Sequence, residues 1–404
     1  MAGPGIVIVG AGECGTRAAF TLRELGCTDP VTLIGAEPAP PYERPPLSKN
    51  WTSTPICDRA MLDDRGIALL DGIAVSRFDP ARRTVELAGG TVLGYDRLLL
   101  ATGARARQPP PLGAPVRTLR TRADAAALRP VLTSGARIGV IGAGLIGLEV
   151  AASAVALGCS VTVVEQGPRA MGRAVPARIA AAVERRHRDE GVRLRFGTTV
   201  AALGRTSSGI DLAGDEVDVV VAGLGAVPET ALAASGGLAV RDGIVVDGRF
   251  RTSAPGVFAA GDCCSFPHPL YRTRLRLESW RAAREHGAAA ARAMLGLDDE
   301  RYAGVPWFWS DQYELTLQVT GLPAAAVADV VRPRPDGTEI WFGLAADGSL
   351  VAAAGAGTGT TVARDIRLAE LLIARRAAPP PAVLADPRAG LKSLLRAPEP
   401  ARPR

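Results

Sequence analysis

Residues 6–15 read Ile6-Val7-Ile8-Val9-Gly10-Ala11-Gly12-Glu13-Cys14-Gly15 and set the architecture of the N-terminal region. The four leading apolar residues predict a strand that is buried on both faces. Gly10, Gly12 and Gly15 form G-x-G-x-x-G, the pattern that permits a tight turn, a close pyrophosphate and close helix packing in that order. An Ala- and Leu-rich helix and a second strand, Val31–Ile34, complete a βαβ unit. The sequence therefore predicts a dinucleotide site whose phosphate charge lies at the helix N-terminus.

The same pattern recurs at Ile138–Glu149, with its glycines at Gly142, Gly144 and Gly147. An Ala-rich helix and the strand Ser160–Val164 follow it. A single glycine loop also arises for packing alone, so one copy is weak support for a nucleotide site. Two complete copies predict two dinucleotides bound in separate domains.

The composition is that of an ordinary globular protein with two or three domains. The 404 residues are 47% apolar and 22% charged, and the net charge of +6 is mildly basic. Aromatic residues make up only 4%, without the basic and aromatic runs of a nucleic-acid binder, so we expect no nucleic-acid partner. Arginine carries nearly all the positive charge, because Lys49 and Lys392 are the only lysines.

The cysteines and the hydropathy pattern predict a cytoplasmic protein. None of the six cysteines forms C-x-x-C or C-x-x-x-x-C, and with three histidines no zinc spacing appears. Reduced thiols of this kind are typical of the cytosol. The first strand begins at Ile6, so we expect no signal peptide, and no apolar run approaches the ~20 residues of a membrane span.

The order of the motifs predicts an α/β protein with two Rossmann-like domains and a C-terminal α+β domain. We expect a discontinuous first domain at residues 1–112 and 235–304, a second at 113–234, and a third at 305–404 that ends in a Pro/Ala-rich tail, frayed from about Arg396. Further strands are predicted at Ile73–Val75, Thr84–Leu87, Arg97–Leu100, Val217–Val221, Asp242–Asp247 and Val257–Asp262. The third domain should contain strands at Glu314–Thr320, Ala328–Val331 and Thr338–Leu344, and a helix at Val362–Arg376.

Several motifs together resemble one family of flavoproteins. They are the two glycine loops, Arg44–Lys49 (RPPLSK), Ala101–Gly103 (ATG), Ala259–Asp262 (AAGD), Glu278–Trp280 (ESW) and Pro306–Tyr313 (PWFWSDQY). The chain from Ile6 to Leu395 is similar to the single-component ferredoxin reductases of bacterial P450 and Rieske dioxygenase systems, the putidaredoxin-reductase type. The resemblance implies a glutathione-reductase-like fold, FAD and NADH. It also implies a ferredoxin–NAD(+) reductase that takes a hydride from NADH onto FAD and passes single electrons to a [2Fe-2S] ferredoxin.

The resemblance also implies which residues hold FAD. They are Gly10, Gly12, Cys14, Gly15, Glu37, Arg44, Lys49, Val75, Ala101, Thr102, Gly103, Arg120, Gly261, Asp262 and Trp280. Glu37 would bind the adenosine ribose, although the family's acid usually stands one position earlier, at Ala36. Lys49 and Trp280 would border the flavin ring.

Three further positions have implied roles with FAD, each beside a structural alternative. Val75 would contact the adenine through its backbone, Arg120 the diphosphate and Asp262 the ribityl chain. The alternatives are a core valine, a surface arginine and a helix N-cap, and for Lys49 and Trp280 a solvated charge and a core aromatic.

For NAD the implied residues are Gly142, Gly144, Ile146, Gly147, Glu149, Glu165, Arg173, Gly223 and Gly225. An acid at Glu165 accepts hydrogen bonds from the 2′ and 3′ hydroxyls of NAD and repels a 2′-phosphate, which favours NADH. Arg169 and Arg173 argue the other way, although the family uses the second of them on NAD. Pro228-Glu229 replaces the family's Pro-Asn, so the resemblance does not imply the family's polar contact from that asparagine.

Lys49 and Glu149 are the predicted catalytic pair, joined across the first two domains. The alternative for Glu149 is an acid in the first helical turn, favoured by the helix dipole. An acidic ferredoxin would dock on a basic face, for which Arg272, Arg274, Arg276, Arg284 and Trp309 are the candidates. We expect a monomer or weak homodimer.

Two other functions fit the same scaffold. One is an NAD(P)H oxidase or disulfide reductase, which the absent C-x-x-x-x-C disfavours. The other is a non-enzymatic flavoprotein resembling apoptosis-inducing factor, in which the cofactors set conformation; it would show very slow flavin reduction.

Overall fold

The computed structural model describes residues 3–297 and 300–396, which form two compact units. The first comprises Met1–Arg44, Ser53–Arg105 and Ala226–Gly304, and the second comprises Pro45–Thr52, Ala106–Gly225 and Val305–Arg404. The predicted α/β class, with two dinucleotide-type sheets and a C-terminal α+β part, is confirmed. The three-domain division stays a prediction, and the tail beyond Arg396 lies outside the described residues.

The first unit is built on a five-stranded parallel sheet. Its strands, in spatial order, are Val257–Ala259, Arg97–Leu100, Ile6–Val9, Val31–Gly35 and Ile67–Asp71. The central strand is fully buried, as its four apolar residues predict. Helix Glu13–Glu24 packs closely on Trp280–Met294, where a Cβ on Gly287 would lie 2.2 Å from the carbonyl oxygen of Cys14. Only glycine fits at this helix crossing.

Shorter elements complete the first unit. They are the antiparallel strands Val75–Asp79, Thr84–Leu87 and Val92–Gly94; the sheet Ile244–Val245, Cys264–His268 and Thr273–Leu275; the pair Tyr42–Glu43 and Thr54–Pro55; the helices Arg59–Asp64 and Ala231–Ser235; and the 3₁₀ turn Gly261–Cys263. The strands Ala104–Ala106 and Ala226–Pro228 lie where the chain passes between units. The prediction of a strand at Ile73–Val75 is wrong in its bounds, because pairing with Thr84–Leu87 begins only at Val75.

The second unit contains a parallel sheet of the same kind. Its strands, in spatial order, are Val116–Thr118, Val219–Ala222, Arg137–Ile141, Ser160–Val164 and Arg193–Arg195. Its helices are Arg122–Leu128, Leu145–Ala156 and Ala177–Asp189, with a 3₁₀ turn at Arg129–Val131, and a small antiparallel sheet joins Gly204–Arg205, Ile210–Leu212 and Asp215–Val217. The predicted strand Val217–Val221 is therefore wrong in its bounds: it is divided at Asp218, whose carboxylate accepts from the Arg137 backbone N–H at 2.8 Å, and its second part is Val219–Ala222.

The C-terminal part of the second unit is an antiparallel sheet covered by a helix. Its strands, in spatial order, are Trp307–Gln312, Leu315–Gly321, Leu350–Gly357, Glu339–Leu344 and Ala328–Pro333. The helices are Thr361–Ala374, Pro381–Ala385 and Leu391–Leu394; 3₁₀ turns are Pro323–Ala325 here and Pro45–Ser48 earlier in the unit. Nowhere in residues 3–297 and 300–396 does a helix have both the length and the apolar character for crossing a membrane.

Candidate active site

The first glycine loop leaves open space at its middle glycine. A Cβ on Gly15 would lie 1.9 Å from the carbonyl oxygen of Gly10, and a Cβ on Gly10 would lie 2.1 Å from that of Ala101. In contrast, a Cβ on Gly12 would meet nothing within 4 Å. Gly12 is the N-cap of helix Glu13–Glu24 and, as a glycine, makes no side-chain capping hydrogen bond. This loop therefore fits a pyrophosphate, which would approach at Gly12 and accept hydrogen bonds from the helix N-terminus.

Two other predicted segments of the first unit lie against this loop. Gly261 has φ +80°, and a Cβ on it would lie 3.0 Å from the Cβ of Cys14. The hydroxyl of Thr102 donates to the carbonyl oxygen of Glu229 at 2.6 Å, and the N–H of Glu229 donates to that of Gly103 at 2.9 Å. Glu229, which departs from the family's Pro-Asn, thus holds the Thr102 turn through its backbone.

Glu37, the predicted ribose acid, already has two side-chain partners. Arg44 donates to one carboxylate oxygen at 2.7 Å and the Tyr42 hydroxyl to the other at 2.5 Å. Each oxygen can accept more than one hydrogen bond, so a ribose can still bind there. Arg44 therefore orients Glu37, and its own predicted contact with FAD stays a prediction.

Four residues predicted for FAD remain, three in the first unit and one in the second. Val75 begins its strand, Asp262 lies in the 3₁₀ turn and Trp280 begins its helix. Arg120 belongs to the second unit, where its backbone N–H donates to Asp124 at 2.9 Å. The roles of these four residues stay predictions.

The second glycine loop repeats the geometry of the first. A Cβ on Gly147 would lie 2.1 Å from the carbonyl oxygen of Gly142, and a Cβ on Gly142 would lie 2.6 Å from that of Gly223. Gly144 caps helix Leu145–Ala156, and its nearest neighbour would be 3.6 Å from a Cβ. Gly144 likewise makes no side-chain capping hydrogen bond. A second pyrophosphate fits here by the same reasoning.

Glu165 is held by backbone amides. Its two oxygens accept from the N–H of Ala143 at 2.8 Å and of Gly167 at 2.7 Å. The guanidinium of Arg169 donates to the nearby carbonyl oxygens of Ala170, Gly172 and Val175 at 2.9–3.1 Å. Because Arg169 stabilises its own loop, it is a poor candidate for a 2′-phosphate.

Two other residues predicted for NAD are accessible in the second unit. The side chain of Ile146 is 44% exposed, although it is aliphatic. Arg173 is exposed, and its Nη2 lies 3.1 Å from where a Cβ on Gly225 would stand. The predicted Arg173 and Gly225 are therefore neighbours.

Lys49 and Glu149 form an ion pair, as predicted. The Lys49 Nζ lies 3.0 Å from Glu149 Oε1 and 3.8 Å from Asp311 Oδ2. The Glu149 side chain is 5% exposed and also accepts from the hydroxyls of Ser48 and, at 2.6 Å, Ser310. Three donors thus hold one buried carboxylate in a fixed position.

Comparisons with known proteins agree with this geometry. Residues 4–287 match the family model "Pyridine nucleotide-disulphide oxidoreductase", and residues 307–395 match "Reductase C-terminal". The chain is 41% identical to the anthranilate 1,2-dioxygenase system ferredoxin–NAD(+) reductase component of Burkholderia cepacia, over 98% of this chain and 100% of that protein. It is 43% identical to rhodocoxin reductase of Rhodococcus erythropolis, over 82% of this chain and 81% of that protein. The reductase in the covalent putidaredoxin reductase–putidaredoxin complex superposes with a TM-score of 0.90 at 32% identity. The superposition covers 98% of this chain and 99% of that chain.

The chain belongs to the ferredoxin reductase family of the putidaredoxin-reductase type. In this reductase, sequence reasoning missed the residues that fix the Lys49–Glu149 ion pair. The Ser153 hydroxyl lies 2.7 Å from the carbonyl oxygen of Ser48 and 2.9 Å from that of Lys49. Glu149 and Ser153 lie four residues apart on one helix face, so together they hold the segment Pro45–Thr52 in the second unit. Sequence reasoning placed Lys49 in the first domain because nothing in the local pattern shows this contact.

Some arginines of the predicted basic docking face already have partners within this reductase. Arg272, Arg274 and Arg276 would share one face if the whole stretch were extended. The strand covers only Thr273–Leu275, and Arg272 has φ +51°, so the three arginines do not form one regular extended row. Arg274 donates to two backbone carbonyls and Arg276 pairs with two carboxylates. Arg284 lies 3.6 Å from a Glu13 oxygen and stays half exposed.

Trp309, the predicted aromatic of the docking face, belongs to the second unit of this reductase. Its ring stacks on Trp307 with centroids 5.3 Å apart, and the Lys49 Nζ lies 5.4 Å from its ring centroid. The indole N–H donates to Asp311 at 2.9 Å. The same carboxylate thus orients Trp309 and faces Lys49.

The cysteines of this reductase are free thiols. Cys14, Cys263 and Cys264 are buried, and burial raises the pKa of each. A raised pKa disfavours the thiolate that disulfide exchange needs. This observation disfavours the disulfide-reductase alternative.

Proposed function

We propose that this chain is an NADH-dependent FAD enzyme that reduces a [2Fe-2S] ferredoxin, which in turn feeds a P450 or Rieske oxygenase. The observation that carries the proposal is the presence of two glycine loops in one chain, each leading into a helix whose glycine N-cap makes no side-chain capping hydrogen bond. Two dinucleotides, one FAD and one NADH, account for both loops. The full-length similarity to a dioxygenase reductase component supports the choice of a ferredoxin as acceptor.

FAD, when bound, supplies the chemistry of accepting a hydride and releasing electrons singly. The chain's own residues bind and orient. The loop around Gly12 would hold the FAD pyrophosphate and the loop around Gly144 that of NADH. Glu149, fixed by three donors, keeps the Lys49 ammonium at one place, where it supplies a fixed positive charge.

The preference for NADH follows from Glu165. Its carboxylate is fixed by backbone amides, so it can accept from the ribose hydroxyls, and its charge repels a 2′-phosphate. Arg169 is engaged with backbone carbonyls and would not offset that repulsion.

The ferredoxin partner is proposed to be acidic. Arg272 and Arg284, both exposed on the first unit, are the cations best placed to meet it. Arg272→Glu should raise the KM for ferredoxin and weaken its dependence on ionic strength, because rim charges act mainly on association. NADH-dependent reduction of ferricyanide, a small acceptor that needs no docking surface, should stay at the wild-type rate. Unchanged ferredoxin kinetics would exclude Arg272 from the docking face.

The proposed function is tested by adding NADH or NADPH anaerobically to the purified protein and then adding a [2Fe-2S] ferredoxin. We expect a yellow protein that one equivalent of NADH bleaches rapidly, and whose colour returns as the ferredoxin is reduced. A colourless protein that does not take up FAD would refute the proposal. Bleaching over many minutes would favour the non-enzymatic flavoprotein, and rapid peroxide formation in air without ferredoxin turnover would favour the oxidase.

A further inference from the structure

A chain of buried polar side chains in the second unit ends at Glu149. The Tyr313 hydroxyl lies 3.0 Å from His187 Nδ1, and His187 Nε2 lies 2.8 Å from Gln312 Oε1. Gln312 Nε2 lies 2.9 Å from Ser310 Oγ, which lies 2.6 Å from Glu149 Oε1. The exposed fractions of Glu149, Ser310, Gln312 and His187 are 4%, 0%, 2% and 0%. Three hydrogen bonds therefore join His187, on helix Ala177–Asp189, to the carboxylate that binds Lys49, and a fourth extends the chain to Tyr313.

The donor in each hydrogen bond of this chain can be assigned by starting at the Glu149 carboxylate and following the chain to Tyr313. An ionised Glu149 only accepts, so the single hydroxyl hydrogen of Ser310 points to it. Ser310 Oγ must then accept, which requires the NH₂ end of Gln312. The carbonyl end of Gln312 faces His187 and requires a proton on Nε2, so Nδ1 accepts from Tyr313.

The neutral ring that this assignment requires fits the surroundings of His187. Burial lowers the pKa of His187, since the charged imidazolium would lose its hydration. Reversing the Gln312 amide would set lone pair against lone pair and N–H against N–H at its two ends. The carboxamide has fixed donor and acceptor ends, so the chain orients groups rather than conducting protons.

We propose that Gln312 and His187 are positioning residues: they aim the Ser310 hydroxyl at Glu149 and thereby hold the Lys49–Glu149 pair in its working geometry. The inference rests on the proposed function for the role of that pair. All donors point the same way, so each bond polarises the next and strengthens the bond at the carboxylate. Loss of an inner link leaves Ser310 free to rotate, and Glu149 then keeps only the donors on Ser48 and Lys49.

A spectroscopic experiment tests the chain without turnover. The protein has only three histidines, so ¹⁵N-histidine labelling of the FAD-loaded enzyme gives three imidazole patterns, and loss of one in His187→Leu assigns it. We expect a neutral His187 with its proton on Nε2 at pH 7. In Ser310→Ala the Nε2 proton should shift upfield, because the polarising chain is cut. A proton on Nδ1 would overturn the proposal, and so would an Nε2 proton whose chemical shift is the same in Ser310→Ala as in wild type.

A kinetic experiment tests the consequence for the reaction. Gln312→Met should lower the limiting rate of flavin reduction by NADH roughly 10- to 100-fold, the effect of displacing a group by about 1 Å, with the Kd for NADH unchanged. His286→Leu is the matched control, since it removes an equally buried imidazole in the first unit and should keep the wild-type rate. If Gln312→Met does not fold, Gln312→Glu keeps the shape but offers no N–H to Ser310, and the same decrease is expected.

The outcomes separate this inference from the proposed function. If wild type is reduced rapidly by NADH and Lys49→Ala is slow, while both Gln312 variants react at the wild-type rate, the positioning role is wrong and the proposed function stands. If NADH fails to reduce the wild-type flavin, the proposed function itself fails. A Gln312 variant that weakens NADH binding and leaves the limiting rate unchanged would also overturn the positioning role.

Discussion

His286 gives the first unit a calculable sensitivity to acid. Its ring is 0% exposed and is packed among Phe250, Phe266 and Tyr302 at centroid distances of 4.7–5.0 Å. Neither ring nitrogen has a hydrogen-bond partner among the described residues. Burial, with a smaller contribution from His268, lowers the pKa of His286 from 6.5 to about 3.

The direction of the change in stability with pH follows from which state of the chain binds the proton. Between about pH 6.5 and pH 3 the unfolded chain holds a proton on this histidine and the folded chain does not, so stability falls as the pH falls through that range. From pH 7.5 to pH 5 the linkage amounts to about 2 kcal/mol, which is the free energy of protonating a group with a pKa of 6.5 in the unfolded chain alone. Ordinary carboxyl groups titrate mostly below this range.

His286→Leu replaces the ring by an apolar side chain of similar volume and abolishes this proton linkage. Urea unfolding followed by circular dichroism at pH 7.5 and pH 5 should show that the variant loses about 2 kcal/mol less than wild type across that interval. Phe266→Leu is the control: it shortens a neighbouring aromatic in the same cluster without removing a titrating group, and should keep the wild-type pH dependence. Equal losses in wild type and His286→Leu would refute the argument.

Three further predictions concern the nucleotide sites and one surface ion pair. Glu165→Gln removes the charge that faces a 2′-phosphate and should lower the ratio of kcat/KM for NADH to that for NADPH by about tenfold or more, measured in steady state; an unchanged ratio would contradict its role. Gly12→Val should give a folded but FAD-poor protein, because its Cβ meets no atom within 4 Å, whereas Gly15→Ala should fail to fold, because its Cβ would lie 1.9 Å from a backbone oxygen; absorbance per mole and circular dichroism distinguish the two. Arg178→Leu removes two hydrogen bonds to Glu339, but the arginine is 58% exposed, so the free energy of unfolding should fall only slightly, and by less at high salt.

The sequence predicted the inner strands of the parallel sheets because they are determined locally, and it missed the edge strands Ile67–Asp71, Val116–Thr118 and Arg193–Arg195. Ile6–Val9, Arg97–Leu100 and Ser160–Val164 have the predicted bounds. Each is a short apolar run buried on both sides and followed by a turn that only certain residues permit. The glycine loops are equally local, since Gly15 and Gly147 are required by a carbonyl oxygen five residues earlier.

The strand Leu350–Gly357 could not be predicted from its local sequence. It is the middle strand of its sheet, yet six of its eight residues are Ala or Gly, which carry little strand preference and no alternation. The reason for the small residues is tertiary: a Cβ on Gly355 would lie 2.7 Å from Ile340 and 3.0 Å from Val362 of the covering helix. The same holds for His187 and Gln312, which are 125 residues apart and meet only in the folded chain.

The two glycine loops are nearly the same in backbone geometry, and the acids beside them differ in what holds them. Glu37 is held by a cation, Arg44, and by a hydroxyl, so its charge is largely compensated. Glu165 is held by two backbone amides, so its full negative charge remains to act on a ligand. A compensated acid can bind a ribose without selecting against further phosphate, and an uncompensated one selects strongly. This difference supports assigning the first loop to FAD, for which no related phosphorylated form competes. It supports assigning the second loop to NADH, which must be bound in preference to NADPH with its 2′-phosphate.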